Sequence, residues 1–385
     1  MAPTGSGSGD GSVGRPLDLA TAIGKSSPAH PGDTVWLRGG TYRGCFLALV
    51  SGTASAPITL RQAPGERAVI DGASCTKQTK SDDAKAFATL VLQGSYLWAW
   101  GFEITNSNPD RVSQDKGSRP EDIDKRPAGI AVLGNTGVKI INMVIHDNGD
   151  GIGLWETAVD AEVYGTVLYN NGWLGSDRGH GHGIYSQNAD GIKRITDVVS
   201  VNNFNTGMKA FSYDQGVRGY RFDGIIAANN GSPQAGLADA PDRASDLFVG
   251  TDTGNPADDI DVTNSYFYQP ANTESDGFWL GWRGTNGRVS VRDNYVAHGA
   301  LGFKLARWQD ATVTGNTFYA TPDRRGVQGT LAQYYKAKGS KVQWDANTYY
   351  DGTAIEARNL RPFRSQGVRE PKGGPRLTWS TWRKT

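Results

Sequence analysis

An excess of charge of either sign is missing from this 385-residue chain: 40 Lys and Arg stand against 39 Asp and Glu, a net charge of +1. That balance excludes a nucleic-acid partner recruited by bulk positive charge. No apolar run reaches the ~18–20 residues that a membrane-spanning helix needs, and no membrane partner is expected. Cysteine is scarce. Cys45 and Cys75 lie 30 residues apart and outside any CxxC motif, so they read equally as a disulfide or as two buried thiols. Heptads are absent and helical periodicity is almost so, which excludes a coiled-coil trimer; a monomer is expected. The first residues, Met1 to Gly11 (MAPTGSGSGDG), lack the charged and apolar regions of a signal peptide. Residues 1–14 read as a flexible start or linker, as in a secreted protein met without its signal and equally as in a cytosolic one.

Glycine is abundant instead. Fifty-one glycines are about twice the usual ~7%, without a Gly-X-Y triplet. Eleven Trp and fifteen Tyr make the chain too apolar for disorder. From about residue 97 one pattern returns, in which a Gly, Asn or Asp precedes alternating apolar residues. It begins at Gly101, Asn142, Gly165, Asp197, Gly224, Asn264, Asn294, Asn316 and Asn347, at intervals of 22 to 41 residues. Each unit holds a second short strand after a glycine or an aspartate, such as Gly151-Ile-Gly-Leu, Gly207-Met-Lys-Ala, Asp246-Leu-Phe-Val and Gly302-Phe-Lys-Leu. Strands of three to five residues cannot bury an apolar face alone, but stacked coil on coil they can. Variable intervals then mean constant strands with loops of changing length. The pattern predicts an all-β fold, a right-handed parallel β-helix, as a single domain over 15–350. A short capping helix is expected at Arg15 to Ile23, with Pro16 in its first turn. The turn asparagines should form ladders from coil to coil. Residues 351–385, basic and containing Trp379 and Trp382, are expected to pack on the last coil.

Alternation places Ile130, Ile152, Ile184, Met208, Phe278 and Phe303 inward. The residues that follow, Ala131, Gly153, Tyr185, Lys209, Phe248, Trp279 and Lys304, then form an outward column about 4.8 Å per rung. Aromatics and lysines together suit a glycan: a sugar stacks on a ring, and a uronate needs cations. Trp155, Tyr185, Phe248 and Trp279 are the candidates for sugar contact. Arg178, Arg283 and Arg307 are candidates to grip carboxylates bidentately. In the stretch Asp177 to Asn188 (DRGHGHGIYSQN), His180 and His182 stand two apart before a strand, where they could relay a proton or hold a metal. A third protein ligand for zinc is not designated. His146 and His298 read as surface or ladder residues. Lys209, one coil after the histidines, is the first candidate for a general base together with His182, and Lys304 the second.

The stretches Pro31 to Gly44 (PGDTVWLRGGTYRG) and 57–72 (PITLRQAPGERAVIDG) resemble the opening of secreted bacterial β-helix proteins of the pectate-lyase-like superfamily. The resemblance, carried on by the repeats to about residue 350, implies a secreted enzyme acting on a polysaccharide or oligosaccharide. The most specific form of that expectation is a lyase cleaving a uronate-containing, hence anionic, glycan by β-elimination. Gly302-Phe-Lys-Leu resembles the strand that carries the base lysine in family 9 pectate lyases, which implies calcium as a cofactor. The acidic Asp-Asp-Gly cluster of that family has no counterpart in the coils just before Lys304. NGDGI at 148–152, the GHG run and GMK at 207–209 resemble motifs of polygalacturonase-type hydrolases, and Asp150 and Asp177 are the carboxylates that reading would use. A non-catalytic glycan-binding module is the third reading. The ligand is expected over the coils of Trp155, the two histidines, Lys209 and Phe248, where the repeats carry their long insertions.

Overall fold

The computed structural model describes residues 1–75, 88–113, 126–175, 178–231, 245–252, 255–269, 276–298, 301–320, 330–350, 363–366 and 376–377. They form two compact units, Met1–Val199 and Ser200–Thr385, both built as the right-handed parallel β-helix that the pattern predicts. Among the described residues no helix is long and apolar enough to cross a membrane.

Each coil contributes one short strand to each of three sheets. In the first unit, one sheet runs from Thr34–Leu37 through Ile58–Gln62, Leu97–Trp100, Lys139–Ile141 and Glu162–Tyr164 to Lys193–Thr196. All these strands pair in parallel and in register. In the second unit the equivalent sheet runs from Val217–Asp223 to Lys341–Asp345, again parallel. A third sheet there comprises Met208–Ser212, Ser245–Thr251, Asp276–Leu280, Leu301–Ala306 and Thr330–Tyr335. The tail adds the parallel strand Phe363–Gln366 to it, and Arg376–Leu377 pairs antiparallel with that strand. The tail's other basic residues and both its tryptophans lie outside the described residues.

Side-chain alternation fills the interior as expected. Ile130, Ile152 and Ile184 face one another across rungs and are buried. Phe278 sits on Phe303 at 4.9 Å between ring centroids, and Phe303 on Phe318 at 5.5 Å.

The corners explain the repeat. Gly101, Asn142, Gly165, Asp197, Gly224, Asn264, Asp293, Gly315 and Ala346 all have φ between 50° and 79°, the left-handed region open to Gly and tolerable for Asn and Asp. In the last three coils the expected corner residue is displaced by one: Asn294, Asn316 and Asn347 follow the turn and carry a ladder instead. The Asn294 amide donates to Asn316 Oδ1 at 2.9 Å, and the Asn316 amide donates to Asn347 Oδ1 at 2.9 Å. A second corner repeats the device, with Asn203 donating to Asn230 at 2.8 Å and Asn230 to Asp246 at 2.8 Å.

Two N-terminal expectations are corrected. Residues 1–14 are not a loose lead-in: the Ala2 and Ser6 amides donate to the Leu17 and Pro16 carbonyls, at 3.2 and 3.0 Å. The helix is shorter than Arg15 to Ile23, spanning Leu19–Ile23. Asp18 caps it by accepting from the Thr21 amide at 2.7 Å, while the Arg15–Leu17 carbonyls are taken by the arm. Cys45 and Cys75 are joined as a disulfide, with Cα atoms 5.5 Å apart.

Asn316 is buried and its Nδ2 also donates to the Val291 and Thr314 carbonyls at 3.0 and 3.1 Å. Asn316→Ala should lower unfolding free energy by about 3 kcal/mol, since buried groups left without partners cost ~1–3 kcal/mol each. Urea denaturation measures this, and a loss below about 1 kcal/mol would show that the ladder is not structural.

Candidate functional site

The third sheet of the second unit carries the outward row. Lys209 pairs with Phe248, Phe248 with Trp279, and Trp279 with Lys304, which sets the two lysines three rungs or about 14 Å apart. A cleft of about 140 Å³ opens beside the row, lined by Lys209, Phe211, Tyr213, Phe248, Asp252, Trp279, Trp282 and Arg283. Phe248 meets Trp279 edge to face at 5.2 Å, and Trp279 meets Trp282 at 4.8 Å. Such pairs add ~0.5–1.5 kcal/mol beyond burial and hold the floor in one arrangement. Gly250 permits it: a Cβ there would lie 2.7 Å from the Trp282 Cβ.

The cations are held by rings and one acid. Lys209 Nζ lies 5.0 Å from the Phe211 centroid and 5.9 Å from that of Phe248. Lys304 Nζ lies 3.3 Å over the Trp279 ring and 5.4 Å from Tyr335, a cation–π arrangement. Arg283 pairs with Asp252 at 2.9 Å. Trp279, expected to stack a sugar, is only 4% exposed with Lys304 on its face, so it forms the floor; Tyr213, 60% exposed, offers the open ring. Arg307 has φ of 59°, and its backbone links neighbouring coils: its amide donates to the Tyr335 carbonyl at 2.8 Å and its carbonyl accepts from the Asn286 amide at 2.7 Å.

In the first unit, the His182 ring stacks on Tyr185 at 5.7 Å, and Tyr185 meets Trp155 at 5.5 Å. Asp150 Oδ1 accepts the His182 backbone amide at 2.6 Å. His180 is drawn to a different neighbour. It is buried against Trp173 with centroids 5.2 Å apart, because Gly179–His180 pairs antiparallel with Trp173–Leu174. Arg178 sits in the turn of that hairpin, where its carbonyl accepts from the Gly175 amide at 2.8 Å. Asp177 lies outside the described residues.

Phe211, Tyr213, Asp252, Trp282 and Tyr335 were not among the expected site residues. Phe211 was legible, being two residues after Lys209 and so on the same strand face. Lys193 was not. Its ammonium is buried and donates to the carbonyls of Leu154, Trp155 and Gln187 at 3.2, 2.6 and 2.5 Å. Burial pulls its pKa down to about 7, with Glu156 opposing; three acceptors match the three N–H bonds of the charged form. Asp246, wholly buried, has its pKa raised by burial despite bonds from Asn230 and Gln269. His298 is a buried residue and not a surface one, and burial lowers its pKa to about 3. Among the described residues no three His, Cys, Asp or Glu side chains converge to hold a metal ion.

Three-sheet coils, asparagine corners and an outward row on the third sheet define a right-handed parallel β-helix protein of the pectate-lyase-like kind. Residues 1–232 match the model of the Pel9A-like right-handed β-helix region, and the chain belongs to that family. Among solved structures, a rhamnogalacturonan lyase is similar with 15% identity over 92% of this chain and 88% of its own, at a TM-score of 0.69. The GH136 lacto-N-biosidase from Eubacterium ramulus shares 14% identity over 91% and 67%, at 0.54. XylC in its complex with xylose shares 13% over 92% and 86%, at 0.51. These likenesses are of fold. No curated protein matches the sequence.

Lys193, buried, and His146, half-buried, can each be tested. Lys193→Met should cost about 3 kcal/mol by leaving carbonyls unpaired, read as a lowered urea midpoint with unchanged slope; an unchanged midpoint would contradict the clamp. His146 lies between Asp147 at 2.7 Å and Glu103 at 3.1 Å. Burial works against its charge, but the two carboxylates prevail and raise its pKa. Its contribution is therefore complete below the ordinary value near 6.5 and is lost as pH rises through the raised one. The melting-temperature gap between wild type and His146→Gln should be widest near pH 5.5 and close toward pH 8.5. A gap that is constant or grows with pH contradicts the assignment.

Proposed function

We propose that the chain is a secreted polysaccharide lyase that cleaves a uronate-containing glycan by β-elimination at the cleft of the second unit. The observation that carries this reading is an amine, Lys209, set at an aromatic cleft that also holds the guanidinium of Arg283. Lys209 takes the proton from C5 of the uronate. The C5–H electrons form the C4=C5 double bond, and the C4–O bond breaks to release the leaving sugar, whose oxygen takes a proton from water. The carbanion-like state develops charge on the carboxylate, and positive groups placed there lower its energy. Arg283 fills that role, while Tyr213 and Trp282 contact the sugar faces. The Asp150, His182, Tyr185 and Trp155 cluster of the first unit offers a further sugar-binding surface.

The known lyase of similar fold supports the reaction class without fixing it. A hydrolase would need two carboxylates at a set separation; the cleft lining offers Asp252, already paired with Arg283. The disulfide between Cys45 and Cys75 supports an oxidising, extracellular setting. A binding module would use the same aromatic floor, so turnover decides between the two.

Wild type should release unsaturated product absorbing in the ultraviolet from at least one polyuronate. Lys209→Ala should lower that rate at least ~100-fold, the scale of a lost general base, with an unchanged melting temperature. Reducing ends without absorbance would replace the lyase by a hydrolase. Full activity in Lys209→Ala would move the base elsewhere.

A further inference from the structure

The first unit carries a second aromatic and cationic surface, on a different sheet from the cleft row. Its outward residues stand in two rows. One row is Trp36, Arg61, Trp100, Ile141 and Tyr164, each paired to the next. The parallel row is Thr34, Thr59, Trp98, Lys139, Glu162 and Arg194. Trp36 and Tyr164 are 39% and 41% exposed. The Arg61 guanidinium lies 4.0 Å from the Trp100 centroid and 5.7 Å from that of Trp36. Among the described residues it makes no ion pair. One rung further, Lys139 Nζ lies 5.2 Å from the Trp98 ring.

From this arrangement we infer that the face is an accessory binding site for a carboxylate-bearing glycan chain, running along the coil axis and separate from the site of bond cleavage. The inference rests on the glycan reading above for the kind of polymer. Arg61 is held on both sides by indoles, so its planar fork meets a carboxylate with little further ordering. Aromatic side chains recur at every second rung, about 9.5 Å apart, and give an extended chain repeated apolar contacts. Charge complementarity selects an acidic chain over a neutral one: outward Arg61, Lys139 and Arg194 face a single acid, Glu162, which Lys139 pairs at 2.8 Å. A ladder serving stability alone would be expected to give Arg61 an acid neighbour across the rung, as Arg67 has in Glu103 at 2.6 Å.

The test is affinity electrophoresis of the full chain in gels holding polygalacturonate, with a neutral galactan gel as the reference. Wild type should be retarded only by polygalacturonate. Arg61→Gln should weaken that retention about tenfold, the scale of a lost charge-assisted bond, and Arg61→Lys should fall between. Trp36→Ala with Trp100→Ala should weaken it further than Arg61→Gln does. The initial rate of Arg61→Gln on short oligogalacturonates should stay at the wild-type value. Absence of retardation in wild type, or wild-type retention in Arg61→Gln, overturns the site. Should no glycan be cleaved at all, the lyase reading fails, while the retention of Arg61→Gln still decides this one.

Discussion

Parallel hydrogen bonding from each coil to the next fixes the vertical spacing at about 4.8 Å, and the rest of the structure answers to that spacing. A parallel strand of three residues satisfies its backbone only if its neighbours above and below are in register. The corners keep them there. Each corner from Gly101 to Ala346 uses a left-handed residue, which is why Gly, Asn and Asp recur where they do. The buried asparagines after the last of these corners bond to their counterparts one coil away, and those of the second corner do the same. A slip of one residue would break a ladder and turn the apolar face outward together. Loops are free to vary because they lie outside this constraint.

The same spacing makes the surface a set of rows. A side chain on the outward face meets the equivalent side chain of the next coil, so aromatic and cationic residues accumulate into strips that no single coil could form. On the third sheet of the second unit the strip packs into a floor, with Trp279 between Phe248 and Lys304. On the first unit's sheet it stays open, with Arg61 between two tryptophans. One architecture thus carries both a cleft with a packed aromatic floor and an open aromatic face. The difference lies in whether residues beyond the strands, such as Trp282 and Arg283, close over the row.

Much of this was present in the one-dimensional pattern. The intervals between Gly101 and Asn264 mark corner residues directly, and strict alternation separates Ile152 and Phe303 from Tyr185 and Lys304. Sequence determined the coil, the inward set, the outward row and the ladders because each depends on local periodicity and on a backbone conformation few residues adopt. Tertiary structure alone decided that the disulfide forms, that Lys193 holds three carbonyls, and that Trp279 is covered while Tyr213 is open. It also separated His180 from His182, though they stand two residues apart, by pairing one with Trp173 in a hairpin and leaving the other on Tyr185. These outcomes depend on loop paths between coils. Loops have no period to read, and their course is set by contacts that exist only once the coils are stacked.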